Sequence, residues 1–183
     1  MKLINDNLKK TGIVNSILIV IALVLRVKNI GKMSGIAIVD AIVCAAGLVF
    51  GLLYCLNGYK KDVAKYYKGF MYLYVLDSII SFVAILTLFG FDSTNGINYV
   101  HAIHITILIC ACLLAFVKDF GEQNSKTAAF IILVLNGIKL FNDILSGALA
   151  KVDYASLAIF VQAIIVYVLV SHKYADKASR GAK

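Results

Sequence analysis

Apolar residues in this chain fall into six long runs separated by short polar segments. The runs are Ile13–Ile30, Ser34–Leu56, Tyr66–Phe91, Ile97–Val117, Thr127–Ala150 and Tyr154–Ser171. Each reaches or approaches the roughly 20 residues that a helix needs to cross about 30 Å of hydrocarbon. The first and last are the shortest, and long flanking side chains can complete them by snorkelling. The pattern predicts an all-α integral membrane protein, with six transmembrane helices in one antiparallel bundle and the whole of 1–183 forming a single domain. Short connections make consecutive helices antiparallel neighbours.

The fifth run carries the strongest internal signal. At about 100° per residue, Asn136, Lys139, Asn142, Asp143, Ser146 and Gly147 fall on one side of a helix, and Val134, Ile138, Phe141, Leu145 and Leu149 cover the other. In a bilayer a stripe with ionisable groups faces the bundle interior, where such residues are rare and are paired or functional. The third run repeats the theme, with Phe70, Tyr74, Asp77 and Ser81 on one face and Tyr67 and Ser78 at its edge. Asp77 lies near mid-depth, where a lone carboxylate is costly, and Lys139 at similar depth is its expected partner. A purely structural ion pair is the plainer alternative, as is pairing of Lys139 with Asp143 one turn on.

Two further helices add polar positions. Asp40, Gly47, Gly51, Tyr54 and Gly58 share a face of the second, with Cys44 and Cys55 beside them; Gly47-x-x-x-Gly51 is a spacing for close helix packing. His101 and His104 are three apart on the fourth helix, near its start. With Asp40 they form a candidate divalent-metal set, although histidines at helix ends more often serve as interfacial hydrogen-bonders. The sixth helix offers Gln162. The candidate solute- or ion-binding residues are therefore Asp40, Tyr74, Asp77, His101, His104, Asn136, Lys139, Asn142, Asp143 and Gln162.

Composition supports the membrane class: 61% of the 183 residues are hydrophobic and 15% charged, with a mean hydropathy of +0.89. The first run exceeds signal-peptide length and lacks a small-residue cleavage site, so it reads as a retained helix. The net charge of +8 does not indicate nucleic-acid binding, because the basic residues flank apolar runs. Thirteen Lys and Arg, among them Lys9, Lys10, Lys60, Lys61, Lys65 and Lys126, fall on the side of the two termini, against four (Arg26, Lys28, Lys32 and Lys151) on the other. That bias predicts both termini in the cytoplasm and residence in the cytoplasmic (inner) membrane. The segment from Lys60 to Lys68 is first a topology determinant attracted to anionic lipid. Docking of a cytoplasmic partner is its sharper reading.

Cys44, Cys55, Cys110 and Cys112 all sit within apolar runs and are expected as small packing residues, not disulfides or zinc ligands. No P-loop, GxGxxG, HExxH or GxSxG motif occurs, no cofactor is expected, and His172 at the cytoplasmic end of another helix has no histidine at matching depth for haem. An enzyme reading rests only on the His101, His104 and Asp40 set, so a non-enzymatic role is favoured. Binding or passage of a small polar or charged solute or ion is the function expected, with Asp77 and Lys139 exchanging partners for ligand and the two histidines at the entrance. The alternative is a scaffold, immunity protein or accessory subunit whose buried charges serve packing. Expected partners are the bilayer, a solute or ion, and a cytoplasmic or membrane subunit or a second copy of the chain. In size and helix count the chain resembles the membrane-embedded substrate-binding subunits of energy-coupling-factor vitamin transporters, a likeness of architecture without a shared motif. The likeness implies a solute site within the bundle and an ATPase partner. The small-xxx-Ala docking signature of their first helix is not found here.

Overall fold

The structure, a computed structural model, describes residues 2–30, 35–57, 64–89, 99–118, 120–145 and 154–181. The side chains of 2–9, 11, 26–30, 88–89, 143, 154–155 and 175–181 lie outside that description. The element order is α1 (Lys2–Ile30), α2 (Ile36–Leu56), α3 (Ala64–Phe89), α4 (Tyr99–Phe116), α5 (Glu122–Leu145) and α6 (Tyr154–Gly181). Five of them, α2 to α6, are long and apolar enough to cross a membrane, and in α1 the apolar part among the described residues is Gly12–Leu25. An all-helical fold with this character is consistent with a membrane protein.

Helix limits follow what stops a helix, not where hydrophobicity ends. The chain has no proline. Without a breaker, α1 continues back to Lys2 through polar residues, and α6 runs on past Ser171 to Gly181. At two starts a glycine turns the chain. Gly35 (φ 58°) and Gly121 (φ 79°) occupy the left-handed region open to glycine, directly before α2 and α5. The amide of Ser125 donates to the carbonyl of Gly121, and Glu122 and Lys126 pair at 2.6 Å one turn apart, so α5 begins ahead of its apolar run.

Each helix packs on the next in sequence, and α6 closes back onto α1, giving a ring of six. The interior is filled by Ile19 and Ala22 of α1, Cys44 and Leu48 of α2, Phe70 and Met71 of α3, Ala111 of α4, Ile132 of α5 and a dense set from α6, including Ile165, Val166 and Leu169. Helix α6 is more enclosed than α2 to α5: 50% of its apolar stretch is buried, against at most 33% in those four. The ring's outside is apolar too, with Ile13, Ile42, Ile109, Phe130 and Phe141 each more than half exposed. On α5, Val134, Ile138, Phe141 and Leu145 point outward as the periodicity predicts, while Asn136 is 3% exposed.

Gly47 and Gly51 bring α2 against α3. A Cβ on Gly51 would lie 3.2 Å from the ring of Phe70, and one on Gly47 would lie 3.3 Å from Cβ of Leu73. Both distances are tighter than normal packing allows. The glycine spacing therefore serves close approach, as expected of it. Gly58 lies outside the described residues.

Candidate chamber and polar neck

Helical spacing assembles the polar site from five elements. Asp40 and Cys44 are one turn apart on α2; Tyr74, Asp77, Ser78 and Ser81 follow one face of α3; Asn136, Lys139 and Asn142 recur every third residue on α5. His104 joins from α4, and Ser156, Ile159 and Gln162 from α6. Ring closure directs these faces toward one another.

They line two adjoining spaces that share part of their walls. A chamber of about 650 Å³ lies at the end where α2, α4 and α6 begin and α3 and α5 finish, lined by Ile36, Asp40, Ile85, Thr87, Tyr99, Ile103, Asn142 and Ser156, among others. A smaller pocket of about 30 Å³ is walled by Tyr74, Asp77, Ser78, Ile107, Asn136 and Gln162. A water needs roughly 10–15 Å³ of such space, so the inner pocket suits one or two. Ser81, His104, Lys139 and Ile159 belong to both walls, and this shared boundary is termed the neck.

Hydrogen bonds fix the neck. Lys139 Nζ donates to His104 Nε2 at 2.9 Å, and His104 Nδ1 donates to the carbonyl of Val100 at 2.8 Å. A carbonyl only accepts and an ammonium only donates, so the ring that satisfies both is the neutral imidazole with its proton on Nδ1. The Lys139–His104 pair therefore carries one positive charge. Above it, Ser81 Oγ donates to Asp40 Oδ1 at 3.3 Å. In the inner pocket a relay crosses three helices: Cys44 Sγ donates to Gln162 Oε1 at 3.1 Å, and Gln162 Nε2 donates to Asp77 Oδ2 at 3.2 Å. Asn136 hydrogen-bonds Tyr74 and donates back to the carbonyl of Ile132 at 2.9 Å.

Toward the other end the interior is aromatic. Tyr74 stacks on Phe70 with centroids 6.3 Å apart, and Tyr54 meets Tyr67 at 5.7 Å. The Lys173 ammonium sits 4.9 Å from the centre of the Tyr67 ring and 5.3 Å from that of Tyr174. Asn15 donates to the sulfur of Cys55 at 3.3 Å. A separate open hollow of about 540 Å³, lined by Glu122, Gln123, Lys126, Thr127, Phe130 and Tyr167, has no buried side chain in its lining.

Of the residues singled out in the sequence, Asp40, Tyr74, Asp77, His104, Asn136, Lys139, Asn142 and Gln162 line one or both spaces. Asn142 is exposed and lines the chamber. His101 is buried, 5% exposed, but does not line either space. The side chain of Asp143 lies outside the described residues. Lys139 and Asp77 both line the inner pocket; Lys139 is hydrogen-bonded to His104 and Asp77 to Gln162, and each has a further interaction besides. Among the described residues no group of three His, Cys, Asp or Glu converges to hold a metal, so His101, His104 and Asp40 do not assemble as a metal set. Sequence reasoning missed the thiol of Cys44 as a donor and the chamber positions Tyr99 and Ser156. A cysteine one turn from Asp40 on a glycine-rich face was the available signal.

Comparison with protein-family models, with curated proteins and with solved structures finds no match.

Proposed function

We propose that this chain is an integral protein of the cytoplasmic membrane, a six-span antiparallel bundle with both termini in the cytoplasm. Its chamber binds a small polar or charged solute or ion arriving from outside, and the neck at Lys139 and His104 controls passage to the inner pocket. The apolar exterior supports the membrane placement, since contiguous outward hydrophobic surface of this extent suits hydrocarbon and not water. The lysine and arginine bias supports the orientation, putting the chamber mouth on the outer side. The observation that carries the solute reading is the neck itself. A charged lysine and a neutral histidine stand between a roomy chamber and a water-sized pocket, where an ionisable group is hard to justify by packing alone.

The test is a thermal-unfolding screen of the purified protein in detergent or nanodiscs against amino acids, sugars, nucleosides and inorganic ions. It is run in parallel on the protein carrying Lys139→Met and Asp77→Asn. A solute site requires at least one compound to raise the wild-type midpoint and to lose that effect in the variant. No shift with any compound, or equal shifts in both proteins, overturns it.

A further inference from the structure

We infer that Nε2 of His104 is a proton-binding site that works the neck, a proton displacing Lys139 from the ring; this rests on the neck being a control point. Both ring nitrogens are engaged. Nδ1 carries the proton donated to the carbonyl of Val100 at 2.8 Å, and Nε2 offers its one lone pair to the Lys139 ammonium at 2.9 Å. A neutral imidazole has no other basic atom. A second proton therefore enters only at Nε2, where it takes the lone pair that holds Lys139. The imidazolium then donates from both nitrogens, and an ammonium has nothing to accept with, so the bond between them is lost.

This competition is set by the valence of one ring atom and not by what else Lys139 touches. The titratable groups that share the two spaces with His104 are Asp40 of α2, Tyr74 and Asp77 of α3, Tyr99 of α4 and Lys139 of α5. His101, three residues back on α4, lies within electrostatic reach. Asp40, Asp77, His101 and Lys139 each have further interactions of their own. Helix α6 brings Ser156, Ile159 and Gln162 to the same walls, none of which titrates, and the side chain of Asp143 lies outside the described residues. His104 is 6% exposed, so a second proton puts a cation beside an ammonium in a shielded place, and the pair relieves that contact by parting. Both residues stand in the boundary shared by chamber and inner pocket, so their parting opens the neck. In the proposed orientation the proton arrives from the outer side, and external acid is the opening signal.

The experiment joins two readouts on the full chain in nanodiscs, from about pH 8 to about pH 4. Ring-nitrogen NMR of isotope-labelled histidine follows His104, whose signals are assigned by their loss in His104→Gln. In a background without the four native cysteines, sulfonatoethyl methanethiosulfonate labels Ser78→Cys, which lines the inner pocket alone of the two spaces. Its rate is divided at each pH by that of Thr87→Cys, which lines the chamber alone. At the alkaline end the ring is expected neutral, with its proton on Nδ1. The rate ratio is expected to rise roughly tenfold or more on acidification, with the midpoint of the ring's second protonation. His104→Gln keeps a carbonyl that accepts from Lys139 but does not titrate, and its ratio is expected to stay flat. A proton on Nε2 at the alkaline end, a ring that stays neutral throughout, a ratio that does not rise, or an equal rise in His104→Gln overturns the inference. None of these results bears on the solute-site proposal, which stands or falls by its own screen at a single pH.

Discussion

Nζ of Lys139 lies 2.9 Å from Nε2 of His104, a hydrogen bond that joins α5 to α4 at the boundary between the chamber and the inner pocket. A hydrogen bond to a charged group contributes on the order of 1.5–3 kcal/mol where it is shielded, and less where one partner is only partly buried, as Lys139 is. His104→Ala is therefore expected to destabilise the protein by about 1–2 kcal/mol, measured as a fall in the denaturation midpoint in detergent. Replacing both partners by apolar residues, His104→Leu with Lys139→Met, is expected to recover much of that loss and still to abolish solute-induced stabilisation. A double variant that binds solute normally would show that the neck has no part in binding.

Gln162 links α2 and α3 through Cys44 and Asp77. Gln162→Leu removes the donor to Asp77 and the acceptor for the thiol together, and leaves a carboxylate that is 6% exposed with one hydrogen bond fewer. The expected cost is about 1–3 kcal/mol. Cys44→Ala removes only a weak thiol donor and is expected to cost less. The order of the two denaturation midpoints checks this; a larger loss from Cys44→Ala would mean that packing, not the relay, dominates there.

The two glycine environments separate close approach from simple helix propensity. Gly51→Ala places a methyl 3.2 Å from Phe70, which is fully buried and has nowhere to retreat. A loss of roughly 1–3 kcal/mol is expected. Gly137→Ala meets Phe160 at an ordinary 3.4 Å and is expected to be neutral or stabilising by up to about 1 kcal/mol. Equal effects of the two would contradict the packing of α2 on α3.

Much of this arrangement is legible in the residues before any coordinates. The outward row Val134, Ile138, Phe141 and Leu145 and the inward Asn136 follow from periodicity alone, because a 3.6-residue helix has no other way to separate them. Partners are less legible. Depth and charge point from Lys139 to Asp77 and do not reveal His104, which α4, standing between α3 and α5 in the ring, brings to the ammonium. Neighbour order is tertiary information that single-helix patterns do not carry. Helix ends are hidden for another reason: hydrophobicity marks what is apolar, and with no proline to stop them α1 and α6 continue through polar sequence.

Orientation rests on flanking charge and is open to a direct check. A fluorescent protein fused after Lys183 is expected to fluoresce, and alkaline phosphatase at the same place to be inactive, because the carboxyl terminus is assigned to the cytoplasm. The opposite pair of results would turn the chamber mouth inward.

The most direct test is water access to the neck. In a background stripped of Cys44, Cys55, Cys110 and Cys112, Ser81→Cys and Ile138→Cys are treated in intact cells with a charged, membrane-impermeant thiol reagent. Ser81 lines both interior spaces, whereas Ile138 is 44% exposed on the outer surface of the ring. Labelling of Ser81→Cys alone, from outside, is the result expected of a hydrated chamber open to that side. A Ser81→Cys protein that resists the reagent while Ile138→Cys reacts would contradict it.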